Sequence, residues 1–408
     1  MDKTYKWNIE EINTIEKFEM LKTEWNSIVE SNQSYGVYLT FEFMMLWWKL
    51  FVKPDKKLCL LVIKKDDEII GIAPFMIVHE KFLWMPTTKI EFISMAQYAD
   101  SPASFTASLD ILIKEHHEEV IHNIISYLVQ QVQGWHYIRL NPIPTNSATL
   151  NLLKKTASTY NYKFMNHEAF SSLDIELPET WENYSASLSK NFRKYLKSNE
   201  RKLQQLGSLN YKLITSHDEL LQIFPLIKEI EKRSWKWNVG VSINSITYND
   251  FYKRFADVGG KLGWIQLWIL QLDDKYIAYD YNILFKQTLI NLKGSYDDAY
   301  NCYSPGQLLF AKEVQNCLTN GIRDINMLWG ETVAKERWKP VAKVYNEVFI
   351  FKNSVYSRIL YFLFFPLSLY SIRRNYMDLK NRLFRKFKIR LKNSEYTRAD
   401  QVVNNINY

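Results

Sequence analysis

One hairpin pattern, written twice, constrains this chain more than any other feature. Leu61-Val62-Ile63-Lys64-Lys65-Asp66-Asp67-Glu68-Ile69-Ile70-Gly71 lies on Trp268-Ile269-Leu270-Gln271-Leu272-Asp273-Asp274-Lys275-Tyr276-Ile277-Ala278. Each copy is an apolar run, a charged turn and an apolar return, the signature of paired strands. A helical stretch, a glycine and a further strand come later in both halves. Gly134-Trp135-His136-Tyr137-Ile138-Arg139-Leu140 is echoed by Gly321-Ile322-Arg323-Asp324-Ile325-Asn326-Met327. This is a repeat at domain scale rather than a solenoid period. Any two α/β segments share some of this pattern, so the duplication is an expectation that a structure tests.

Periodicity fills in the rest. It predicts helices over 15–30, 41–51, 116–132 and 147–160 in the first half. Strands are expected over 58–63, 69–78, 89–95 and 135–141. In the second half the predicted helices are 187–206, 217–235 and 306–319. The strands are 264–272, 276–285, 288–296, 322–328 and 344–351. The expected class is α/β (α+β with a mixed sheet): two tandem units, each a mostly antiparallel sheet flanked by helices. The expected boundaries are 1–176, 177–352 and a basic amphipathic tail, 353–408. With 408 residues, two domains are also the simplest expectation from length.

Charge and cysteine usage exclude several classes. The net charge of +8 attracts anions, yet much of it lies in the tail, where Asp378 is the sole acid between residues 353 and 392. No nucleic-acid-coating surface is expected. Cys59, Cys302 and Cys317 are scattered, and no Cys/His cluster has metal-ligand spacing, so no metal is expected. The start carries no apolar leader, and the apolar run 359–370 is too short to span a bilayer. The expected location is the cytoplasm, with the inner face of the membrane as a peripheral contact. That contact would run through 354–392, where an aromatic, apolar helix precedes a strongly basic one. The same tail also reads as a helix packed on the second unit with a solvated basic end.

The segment richest in chemistry runs from Lys293-Gly294-Ser295-Tyr296-Asp297 to Tyr303-Ser304-Pro305-Gly306-Gln307. It is a strand, a polar loop, then Pro-Gly opening an apolar helix. Pro suits a first helical turn, and Gly admits close approach by a ligand. Such a helix start offers free N–H groups and a positive dipole end to a phosphate. An ordinary Ser-Pro cap satisfies the same residues. Asp280, Asp297 and Glu331 lie at predicted strand ends and are candidate bases, each also readable as a structural carboxylate. No GxGxxG or GxxxxGK[ST] loop and no Ser/His/Asp set is found.

The ordered set Tyr303-Ser304-Pro305-Gly306-x-Leu308-Leu309, helix, Gly321, Asp324 on a strand, Gly330-Glu331 and Lys335-x-x-Trp338 resembles the acetyltransferase domain of the CelD/BcsL-like GNAT group. Leu188-Ser189-Lys190-Asn191-Phe192-Arg193, Gly207 and Arg233-Ser234-Trp235-Lys236 fall where that domain has similar words. Ile69-Ile70-Gly71-Ile72-Ala73-Pro74-Phe75 and Tyr98-Ala99-Asp100 extend the likeness to the first half, so that it covers roughly residues 20–350. Ala334 stands where the group usually has Tyr, which puts any role of that Tyr in doubt.

The resemblance implies an acetyl-CoA or other acyl-CoA donor at Tyr303, Ser304, Pro305, Gly306 and Gln307. It implies an amine acceptor, an amino sugar or a cell-envelope polysaccharide precursor, met by Arg193, Trp235, Tyr296, Lys335 and Trp338. The same tandem architecture occurs in Fem-like peptidyltransferases, which use charged tRNA. Their long helical arm has no counterpart here, because 187–206 is too short. A third reading is a non-catalytic, membrane-associated partner in polysaccharide biosynthesis.

Overall fold

The computed structural model describes residues 6–82, 84–95, 106–238, 243, 250–330 and 332–365. Tyr98-Ala99-Asp100, Glu331 and the basic stretch beyond 365 lie outside them. The strands are β1 (Trp7–Ile12), β2 (Lys56–Lys65), β3 (Glu68–Phe82), β4 (Met85–Phe92), β5 (Leu112–Ile113), β6 (Tyr137–Pro144) and β7 (Lys163–Glu176) in the first half. The second half supplies β8 (Leu209–Ile214), β9 (Ile265–Leu272), β10 (Lys275–Phe285), β11 (Thr288–Tyr296), β12 (Asp324–Asn326) and β13 (Val341–Phe351).

The duplicated pattern folds as a duplicated topology. β1-β2-β3-β4 is an antiparallel meander followed by parallel β6, and β8-β9-β10-β11 is a meander followed by parallel β12. Both predicted hairpins form. In the first, Asp66 and Asp67 both take φ > 0, at 48° and 69°, which their short polar side chains tolerate. In the second only Asp273 of the turn pair does, at 49°.

The two half-sheets are one sheet. Its order is β1-β2-β3-β4-β6-β13-β7-β12-β11-β10-β9-β8, with β5 on the side of β3. The last strand of each half has crossed over: β13 lies beside β6, and β7 lies beside β12. β7 and β13 pair with each other from Val341↔Asp174 to Phe351↔Lys163 and form the seam. Helices also bridge the halves. Phe43 of helix Phe41–Phe51 meets Phe251 and Phe255 of helix Phe251–Lys261, with ring centroids 5.6 and 5.7 Å apart. Lys286 Nζ donates to the carbonyls of Val29, Asn32 and Tyr35 at 2.8, 2.6 and 3.0 Å, capping the end of a first-half helix.

Several elements depart from their sequence expectations. The helix expected over 15–30 is two helices, Ile15–Glu19 and Lys22–Ser31. The strand expected over 322–328 shortens to Asp324–Asn326. β1, β7, β8 and helix Phe251–Lys261 lie outside the elements expected from the sequence. β7 is the largest of these, 14 residues long, and much of it is only half-buried. Its Asn166, His167, Glu168, Ser171, Ser172 and Asp174 give it the composition of a linker.

The described part of the tail, helix Val355–Phe364, packs on the sheet. Leu360 is fully buried, and Phe364 stacks on Phe82 at 4.1 Å. Among the described residues, no helix is long and apolar enough to cross a membrane.

Candidate active site

The site begins with a divergence of backbones. β11 and β12 are parallel neighbours for three register pairs, Thr288↔Asp324, Leu289↔Ile325 and Ile290↔Asn326. β12 then ends, while β11 runs on to Tyr296. A split opens between residues 291–296 on one side and 327–330 on the other. Its backbone groups no longer pair strand to strand: Met327 N–H donates to the Leu173 carbonyl at 2.8 Å and Leu328 N–H to Asn326 Oδ1 at 2.8 Å.

At the far end of β11 the chain turns through a short 3₁₀ segment, Asp298–Tyr303, and enters the long helix Pro305–Thr319. Ser304 makes the corner in the left-handed region, φ 53°. Pro305 takes the first helical position, as its missing N–H favours. Gly306 has open space: an added Cβ would meet only the Tyr296 ring, at 3.6 Å. Tyr195 and Ser304 share a hydroxyl–hydroxyl hydrogen bond. Trp338 Nε1 donates to Gln307 Oε1 at 3.0 Å. The Arg337 guanidinium lies over Tyr195, 5.0 Å from the ring centre. The expected donor residues Tyr303 to Gln307 are thus gathered with Tyr296 and Trp338. Trp338 itself is fully buried, so it shapes the helix start from behind.

Beside this helix start is a groove of about 430 Å³ between helices Trp181–Ser187, Lys190–Gln204 and Pro305–Thr319. Lys190, Arg193, Lys194, Lys197 and Lys312 line it, against Glu200. Arg193 Nε is buried without a hydrogen-bond partner. Trp235, by contrast, is 48% exposed and stands apart on the helix Trp235–Asn238.

The candidate carboxylates differ sharply. Asp297 caps the 3₁₀ segment by accepting from the Ala299 amide at 3.1 Å. It also accepts from Arg233 Nε at 2.7 Å and pairs with Lys275 Nζ at 2.8 Å. Burial works to raise its pKa, but the Lys275, Ala299 and Arg233 bonds outweigh burial and hold it below the usual range. A carboxylate so engaged is a weak proton acceptor. Because its folded pKa is depressed, its contribution to stability is present above the ordinary carboxylate range and is lost as pH falls through the folded value. Asp297→Asn should therefore lower the melting temperature at pH 7 and narrow that gap towards pH 3, as calorimetry across pH would show.

Asp280 is buried under helix Pro305–Thr319 beside Glu313. Burial raises the Asp280 carboxyl, which remains the lower of the two. Burial and the Asp280 charge push Glu313 well above its usual range. Asn282 Nδ2 holds Glu313 at 2.9 Å. Gly294 is required opposite them, since an added Cβ there would overlap the Asp280 carboxylate. Glu331 lies outside the described residues.

Three lysines gather at the split. Lys236 Nζ donates to the Gly294 carbonyl on the β11 side. Lys335 Nζ donates to the Met327 and Trp329 carbonyls on the β12 side, at 2.7 and 2.9 Å. Lys293 lies on β11 itself, with Nζ 5.8 Å from the centre of the Tyr252 ring. Burial pushes each of the three down to about 8. Glu231 is fully buried on the same side and accepts from Tyr279 OH at 2.6 Å. Sequence reasoning singles out Lys335 but gives no role to Lys236, Lys293, Glu231 or Glu313. Nothing in their spacing marks them, because they come from separate elements and meet only in the fold.

Residues 190–339 match the family model described as the acetyltransferase (GNAT) domain. The second half carries a GNAT acetyltransferase domain. The split and the helix start lie within the matched residues, and the match supports an acyltransferase. No curated protein matches the chain in sequence. Among solved structures, FemX is 10% identical, with 83% of this chain and 96% of that one covered at a TM-score of 0.55. A conserved protein of unknown function from Bacteroides thetaiotaomicron VPI-5482 is 12% identical, with 85% and 100% covered at 0.52. Both similarities reach beyond the GNAT domain into the first half, and both concern the fold.

Proposed function

We propose that the protein moves an acyl group, the acetyl group first among them, from an acyl-CoA to an amine of an amino sugar or a cell-envelope polysaccharide precursor. The observation that carries this reading is the divergence of β11 from β12 directly before the Ser304-Pro305-Gly306 helix start. A thioester laid in such a split lies along the β11 backbone, and its phosphates reach a helix N-terminus. The amine nitrogen bonds to the acyl carbon, the carbon–sulfur bond breaks, and the amine proton passes to a base while the thiolate leaves. Holding the two reactants is most of the work. Asp280 is the better placed carboxylate for the proton, since Asp297 is tied up by cations.

Titration calorimetry with acetyl-CoA tests the reading. Gly306→Trp should weaken binding at least about 10-fold, equivalent to ~1.4 kcal/mol. The reading is lost if the wild type does not bind, or if Gly306→Trp binds as well as the wild type. A second reading, transfer from charged tRNA, is favoured by the similarity to FemX along both halves. It predicts transfer from aminoacyl-tRNA and indifference to acetyl-CoA. Peripheral membrane contact through 354–392 is a separate proposal. Its basis is the aromatic and basic sequence there, and deleting 366–408 should release the protein from anionic liposomes.

A further inference from the structure

We propose that the split between β11 and β12 binds an anionic group of the acyl acceptor, a carboxylate or a phosphate, between the ammonium groups of Lys236 and Lys335. The inference rests on the acyl-transfer reading only for calling the ligand an acceptor.

Two short helices place these lysines on opposite sides of the split. Helix Trp235–Asn238 is tied to β11: Ser234 Oγ bonds Ser295 Oγ at 2.9 Å, and the Lys236 amide donates to Ser234 Oγ at 3.1 Å. Lys236 Nζ then reaches the Gly294 carbonyl. Helix Val333–Glu336 starts at Thr332, whose Oγ accepts from the Lys335 amide. Lys335 Nζ reaches back to the two carbonyls just past β12. The two side chains are close enough that the charge of Lys236 helps to lower Lys335, after burial.

Among the described residues, neither ammonium has an acid of its own. Among the described residues, the hydrogen bonds of both Nζ atoms go to backbone carbonyls and no carboxylate forms an ion pair with either. The nearby acids are committed elsewhere or held further off. Glu231 accepts from Tyr279 OH and from the Ile243 amide at 2.7 Å, and Glu313 accepts from Asn282 Nδ2 at 2.9 Å. Half-buried charge without its own counter-charge is costly and is found where it meets a ligand. Each ammonium has three donors, and the carbonyls leave some unused, so a carboxylate or phosphate oxygen can bridge the pair.

The full chain would be titrated with inorganic phosphate by calorimetry, as wild type, Lys236→Met, Lys335→Met and Arg193→Met. The proposal expects binding to fall at least about 10-fold in each lysine variant and to persist in Arg193→Met, ~1.4 kcal/mol per tenfold. Loss in Arg193→Met with both lysine variants unchanged would overturn it, since phosphate would then be in the groove. Should a lysine variant not fold, reductive methylation of the wild type mapped by mass spectrometry gives the answer. Phosphate should protect Lys236 and Lys335, and equal labelling with and without it overturns the proposal. Acetyl-CoA and succinyl-CoA separate the two sources of the anion. Equal affinity places the anion on the acceptor. Tighter succinyl-CoA binding that Lys335→Met abolishes would place it on the acyl chain, against the proposal. Phosphate binding at these lysines without any acetyl-CoA binding would sink the acyl-CoA reading and leave this one standing.

Discussion

Residues 1–176 produced alone should fail to give a cooperative thermal melt, and so should residues 177–365, whereas the two produced together should form a stable complex. The cause is the exchange of final strands. Without β13, β6 loses its neighbour along Tyr345↔Pro144 to Phe351↔Tyr137. Without the second half, β7 loses β12 and β13 together and has no sheet to join. An open edge and a detached strand both expose unpaired backbone groups and invite aggregation. The first fragment also loses helix Val355–Phe364, which covers Phe82 and Tyr137. Circular dichroism melts and size-exclusion chromatography of the separate and co-expressed fragments decide the matter. A lone 1–176 fragment that melts cooperatively within a few degrees of the whole protein would overturn it.

The duplication was legible because its hairpins bury both faces under helices. Leu58 to Ile63 and Ile265 to Leu270 are buried residue after residue, and such runs declare a strand without further context. The seam was illegible for the opposite reason. β7 lies in the sheet by backbone pairing with β12 and β13, while several of its side chains stay accessible, so Asn166, His167 and Glu168 are allowed there. Register and strand exchange are long-range facts that no local period encodes. The site divides along the same line. The helix start at Ser304-Pro305-Gly306 is one continuous word and could be read. Lys236, Lys293 and Lys335 come from three elements, and their shared burial arises only when the split forms. Asp297 shows the limit of position without partners: a strand-end acid is a plausible base until Arg233 and Lys275 are seen on it.

Trp338→Ala should be among the most damaging substitutions available in the second half. The indole is fully buried, edge-on to Phe192 at 5.0 Å and to Phe310 at 4.9 Å. Its removal leaves a cavity between helices Lys190–Gln204 and Pro305–Thr319, for which about 3–5 kcal/mol is the usual loss. Gln307 also loses the N–H that holds its Oε1. The first turn of the helix would then be fixed mainly by the Tyr195–Ser304 contact. Chemical denaturation would show the stability loss, and acetyl-CoA titration should show weaker binding in whatever fraction remains folded. Trp338→Phe separates the two effects. It fills most of the cavity and removes only the donor, so its stability cost should be nearer 1 kcal/mol, while the weakening of acetyl-CoA binding should persist. Full acetyl-CoA affinity in Trp338→Phe would mean that Gln307 holds the helix start without the indole, and that Trp338 contributes packing alone.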